Sequence, residues 1–166
     1  MSRGWHLLVM LLTMMLAVGS VRSETASATL TLRFKNEAGQ WVTLDQPGVL
    51  YLVDFWTIGC RPCLVEMPEL IELEDEFASD ARVQFISVAT QERSASTARK
   101  QLEAHGIHPN RVFADADDWF NRLQIESWPT KLLIRDGKVL RVASGAFPSG
   151  NDKRWRTEIR AFLKAH

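Results

Sequence analysis

The run Val-Leu-Tyr-Leu-Val-Asp-Phe-Trp from Val49 to Trp56 constrains the fold more than any other stretch of this chain. It is nearly continuous in apolar and β-prone residues, with no alternation that would leave one face in water. Such a run predicts a central strand buried on both faces of a sheet, which requires a covering layer on each side. Directly after it, Thr57-Ile58-Gly59 leads into Cys60-Arg61-Pro62-Cys63, where helical periodicity begins. Leu64, Met67, Leu70, Ile71 and Phe77 share one stripe of that helix, with Glu66, Glu69, Glu72 and Glu76 largely off it. Pro68 removes a backbone donor inside the helix and is expected to bend it.

The flanking segments follow the same logic. Thr29 to Phe34 alternates apolar and polar residues, Asn36 to Gly39 forms a turn, and Trp41 to Leu44 returns as a second short strand. This is an N-terminal hairpin, broken by Pro47-Gly48. Arg82 to Ala89 predicts another buried strand, and Ser94 to His105 a helix closed by Gly106. Val112-Phe113 is a short apolar segment, and Asp115 to Leu123 predicts a short helix. Thr130 to Arg135, the turn Asp136-Gly137, and Val139 to Ala143 make a second hairpin. Trp155, Ile159, Phe162 and Leu163 mark a final amphipathic helix, while Trp56 and Trp119 read as core. Strands alternating with helices, then a terminal hairpin, predict an α/β domain with a central mixed β-sheet flanked by helices.

Residues 1–23 read as a secretory signal. Arg3 and His6 form a polar start, Leu7 to Val18 is apolar except for Thr13, and Ala17, Gly19, Ser20 and Ser23 are small. Cleavage after Ser20 or Ser23 is acceptable, and retention as an uncleaved anchor is the alternative. The apolar stretch falls short of the ~20 residues of a membrane-spanning helix. No cysteine lies near the cleavage region, which excludes lipid attachment there. Residues 24–166 then form one domain, in line with a total length of 166 residues. With 20 basic and 20 acidic residues the chain has no net charge, and no basic run interleaves with aromatics. No nucleic-acid partner is expected, and a monomer is the default.

The two cysteines carry the chemistry. Cys60 is placed at a helix N-terminus, where unpaired N–H groups and the macrodipole favour a thiolate, and Arg61 adds a positive neighbour. Pro62 is tolerated in the first turn and stiffens it. Cys63, one turn on, can close or reopen a small disulfide ring. An outer sulfur would attack a partner's disulfide and the inner one would resolve the mixed disulfide. A structural zinc site would need two more ligands, and no further cysteine exists. His6 lies in the signal, His166 is the last residue, and His105 and His108 flank Gly106 in a solvated setting. No metal and no cofactor are expected.

The chain from about Thr29 onward resembles the thioredoxin superfamily, and within it the exported TlpA/ResA-like thiol-disulfide oxidoreductases. The matching pieces are the N-terminal hairpin, Val53-Asp54-Phe55-Trp56, Cys60-Arg61-Pro62-Cys63 and Glu66-Met67-Pro68. They continue with His105-Gly106-Ile107, Phe113-Ala114-Asp115, Ser127-Trp128-Pro129-Thr130, Leu132-Leu133-Ile134 and Asp136-Gly137. The resemblance implies a thioredoxin-like fold and a redox-active disulfide between Cys60 and Cys63. It also implies that Pro129 is a cis-proline opposite the cysteines, turning the Trp128 backbone towards Cys60 where an extended partner peptide could pair. Trp128, Arg61 and Pro62 are accordingly candidates for contact with the client. By the same resemblance Asp54 is the buried acid that handles the Cys63 proton, and burial without a cation should raise its pKa. Glu66, three residues after the motif, either tunes the same pair or is a solvated helix glutamate. Which of the two acids carries the proton stays open. Gly59 stands where the family usually has a tryptophan, and Trp128 could refill that apolar surface or serve as core.

The resemblance implies an exported, periplasmic reductant of protein disulfides, with cytochrome c maturation or reduction of copper-site thiols as candidate pathways. Its partners would be protein disulfide or thiol clients and a membrane thiol donor such as a DsbD/CcdA-like protein. Two alternatives have other chemistry. A pair of thiolates suits Cu(I), although no methionine- or histidine-rich flank accompanies it. A thiol peroxidase on the same fold would use Thr57-x-x-Cys60, but the proline of that pattern is missing.

Overall fold

The computed structural model describes residues 29–147 and 152–165. The proposed signal, residues 1–23, lies outside the described residues. Among the described residues seven strands and four helices follow in chain order: β1 (Arg33–Lys35), β2 (Trp41–Thr43), β3 (Leu50–Trp56), α1 (Arg61–Phe77), β4 (Val83–Ala89), α2 (Ala95–Ala104), β5 (Phe113–Ala114), α3 (Trp119–Arg122), β6 (Thr130–Arg135), β7 (Lys138–Ser144) and α4 (Asp152–Ala165). They form one mixed sheet in the order β2-β1-β5-β4-β3-β6-β7. β3 runs parallel to β4 and antiparallel to β6, so the strand preceding the cysteines is flanked on both edges.

Every residue of β3 is buried, as its unbroken apolar run predicts. Alternation divides its side chains between two cores. Tyr51, Val53 and Phe55 pack with Leu32, Phe34, Val88, Trp119 and Phe120 on one face. Leu50 and Leu52 pack with Leu70, Leu73, Phe77, Trp155 and Ile159 of α1 and α4 on the other. Trp56 continues that second face into a cluster with Cys63, Met67, Ala98 and Leu102. Asp54 lies between Leu52 and Trp56 in the period-2 pattern, and therefore faces α1.

Three local expectations change in detail. The first strand is shorter than expected: Leu32 O still accepts from Leu44 N across the hairpin at 2.8 Å, but Leu30 turns to the β6–β7 turn, where its N donates to Gly137 O at 2.9 Å. Gly137 has φ of +68°, and the Thr29 side chain occupies the space its Cβ would need, so only glycine fits there. The helix expected over 115–123 shrinks to the four residues of α3. The Asp115 carboxylate binds the N–H groups of Trp119 and Phe120 at 2.7 Å each, and Asp118 adopts φ of 56°, which prevents an earlier start. Glu66 leaves the polar side assigned to it and is buried on α1.

Candidate active site

The β3–α1 junction sets the position of the cysteines. The turn closes with Cys60 N donating to Thr57 O at 3.0 Å, while Trp56 O is held by Thr90 N and Thr90 Oγ1. Cys60 then caps α1, and its Sγ accepts a hydrogen bond from Cys63 N at 3.2 Å. Pro62 sits in the first turn, where its missing N–H loses no helical bond. That turn holds no acidic residue, so nothing there offsets the positive end of the helix that favours an anionic sulfur at Cys60.

Cys60 and Cys63 form a disulfide with Cα atoms 5.3 Å apart. Their exposures differ: Cys63 is fully buried, whereas Cys60 is half-buried. Arg61 and Pro62 are exposed on the same rim. A side chain at Gly59 would point into open space.

Pro129 is buried and follows a cis peptide bond from Trp128. The half-buried Trp128 ring stacks on Phe120 at 4.7 Å and 12°, and its Nε1 donates to Thr90 Oγ1 at 2.9 Å. Thr90 thus ties the Trp128 loop to the end of β3, because the same hydroxyl donates to Trp56 O. The ring also packs against the cluster that contains Trp56 and Cys63.

Beneath the first turns of α1 lies a buried polar group that includes one residue missed from the sequence. The β3–β6 register pairs Asp54 with Lys131, and both are buried, Lys131 completely. Lys131 Nζ forms an ion pair with Glu66 Oε1 at 2.6 Å, donates to Gly145 O at 3.1 Å, and lies 4.6 Å from the Phe147 ring centroid. Glu66 Oε2 accepts from Phe147 N at 2.8 Å. A solvated role for Glu66 is therefore ruled out, and so is the expectation that Asp54 lacks a nearby cation. Burial pushes the Asp54 carboxyl up to about 7, against the opposing pull of Lys131, with the negative charge of Glu66 adding to the rise. Burial also raises Glu66, opposed by Lys131 and by the Phe147 N–H. The sequence did hold a signal for Lys131: a lone cation inside the otherwise apolar strand Thr130 to Ile134, opposite a strand carrying a lone acid.

The sheet order, the paired cysteines at a helix cap and the cis-proline loop together define a thioredoxin-like protein. No family model matches the sequence. A thioredoxin from Haemophilus influenzae is 27% identical over 115 residues, which cover 69% of this chain and 78% of that one. Protein FixW of Rhizobium leguminosarum is 39% identical over 61 residues, but the match spans 36% of this chain and only 27% of FixW. Among solved structures, a secreted Mycobacterium tuberculosis disulfide oxidoreductase described as homologous to E. coli DsbE superimposes with a TM-score of 0.60 at 19% identity. That match covers 85% of this chain and all of the other. The chain has the thioredoxin-like fold and is similar to thiol-disulfide oxidoreductases of that fold.

Proposed function

We propose that this chain is an exported reductant of protein disulfides that acts through Cys60 and Cys63. The observation that carries this reading is the unequal exposure of the two sulfurs at one helix cap, Cys60 reachable and Cys63 buried. In the reduced protein, the Cys60 thiolate attacks a client disulfide, whose S–S bond breaks as a mixed disulfide forms. One client thiolate leaves and takes a proton from water. Cys63 then gives its proton to a buried carboxylate and attacks Cys60 Sγ, releasing the second client sulfur as a thiolate, which takes a proton from solvent as the buried carboxyl gives its own up. The client gains two electrons and two protons, and the chain is left with the disulfide seen here. A membrane thiol donor of the DsbD/CcdA kind would restore the dithiol.

Three observations support client binding and export. Among the described residues, none hydrogen-bonds to the Trp128 backbone, which leaves it open to an extended peptide beside Cys60. Arg61 and Pro62 are exposed at the same rim. The M. tuberculosis relative is described as secreted, in keeping with residues 1–23 as an export signal or uncleaved anchor and a periplasmic location. No helix among the described residues is long and apolar enough to cross a membrane. We assign residues 24–166 to the catalytic domain, working as a monomer, with cytochrome c maturation or copper-site thiols as candidate pathways.

The reduction potential of the Cys60–Cys63 couple, equilibrated against thiol buffers, tests the direction. A value near the about −270 mV of thioredoxin supports a reductant. A value near the about −120 mV of DsbA overturns it in favour of an oxidant.

A further inference from the structure

The buried group beneath α1 contains two carboxyls and one ammonium, and their hydrogen bonding is unequal. Both oxygens of Glu66 face donors: Lys131 Nζ at one and Phe147 N–H at the other. A cation at one oxygen and an N–H at the other both favour the charged form of Glu66. Asp54 differs. It is buried, and neither of its oxygens has a hydrogen-bond donor among the described residues. A cavity of about 20 Å³ adjoins it, lined by Leu52, Met67, Leu70 and Ser87 among others, with room for about one water. Protonating Asp54 breaks nothing.

We propose that Lys131 is a positioning residue: by clamping Glu66 as a carboxylate it withdraws that acid from proton exchange and leaves Asp54 to exchange the proton with Cys63. The assignment rests on the disulfide-exchange reading above and refines it. The charged groups around Asp54 come from each element packed on it. Lys131 faces it from β6, Glu66 from α1, and Glu74 from further along α1 at the same cavity, balanced by Arg111 at 3.6 Å. β4 contributes the neutral Ser87. Glu69 acts on Glu66, and its negative charge makes the Lys131 clamp more necessary.

The two members of the ion pair therefore act on Asp54 with opposite signs. Lys131 attracts its negative charge and Glu66 repels it. Carboxyl 13C NMR titration of the oxidised full chain reads this directly, residue by residue. In the native protein Asp54 should titrate near neutrality while the Glu66 signal stays flat through that step. Lys131→Met should move the Asp54 midpoint up by about one pH unit or more, and Glu66→Gln should move it down. The opposite signs follow from the two charges alone, so the clamp itself is read at Glu66, which should begin to titrate in Lys131→Met. Lys131→Met leaves Glu66 buried without its cation, so a second variant guards against loss of folding. The double variant Glu66→Gln/Lys131→Met holds no unpaired charge, and its Asp54 midpoint should lie above that of Glu66→Gln alone. The proposal is overturned if Glu66 is the group that titrates through that step, if both single variants shift Asp54 the same way, or if the double variant titrates no higher than Glu66→Gln. Reduction of insulin disulfides by the wild-type chain, recharged with a dithiol, separates the two readings. Its failure would remove the reductase function while leaving the titration to decide the role of Lys131.

Discussion

Replacing Asp54 by asparagine should make the folded protein more stable at pH 8 relative to wild type than it does at pH 4. Asp54 is fully buried, and its carboxyl pKa rises from 3.8 in the reference state to about 7 in the fold. Between those values the folded chain holds a proton that the unfolded chain has released. Stability therefore falls as pH rises from about 4 to about 7, and the full penalty is present above that window. The interval is about three pH units. At about 1.4 kcal/mol per unit this amounts to roughly 4 kcal/mol, a large share of the stability of a domain this size. Asparagine has nearly the same shape and no titration, so any fixed cost of its amide is the same at every pH. The assay is urea unfolding of the oxidised wild-type and variant chains at intervals from pH 4 to pH 8, with the disulfide intact in both states. The difference in unfolding free energy should climb by roughly 4 kcal/mol across the range, with m unchanged. A difference that stays flat would refute the reasoning, because it would mean that Asp54 titrates alike folded and unfolded.

Two further predictions concern the cysteines and the loop opposite them. Cys63→Ser removes the resolving sulfur, so a client captured at Cys60 should stay attached as a mixed disulfide visible on non-reducing gels, whereas Cys60→Ser should capture nothing. Trp128→Phe keeps a ring over Phe120 but deletes the Nε1–H bond to Thr90, which should lower stability by about 1 kcal/mol in denaturant titrations. A truncation to alanine removes the stacking as well, and Trp128→Ala should alter exchange rates with protein clients if the ring contacts them. Unchanged rates would assign Trp128 to the core alone.

Much of the candidate site is local in sequence and could be read there. A strand ending at Trp56, a short turn and a helix opening at Cys60 need only neighbouring residues, so the cap geometry of Cys60 and the inward position of Cys63 follow from the spacing. The burial of Asp54 was legible for the same reason, since it interrupts an apolar run with no polar alternation around it. The limits of the hairpin and of α3 were less legible, because the Asp115 carboxylate and the Gly137 turn act through partners that the pattern alone does not name.

The amino-acid sequence by itself determined the fully buried strand and the helix cap with its two sulfurs through periodicity and short-range geometry, while the two acids near them were implied by the family resemblance. Only the tertiary structure decided how those acids differ. Lys131 is a single lysine in a strand that is buried on both faces, and the strand pattern does not name its partner. The register that sets it opposite Asp54, and the helix that lays Glu66 over it, join residues far apart in the chain. Charge interactions of this kind depend on distance and on exclusion of water, and both exist only once sheet and helix have packed.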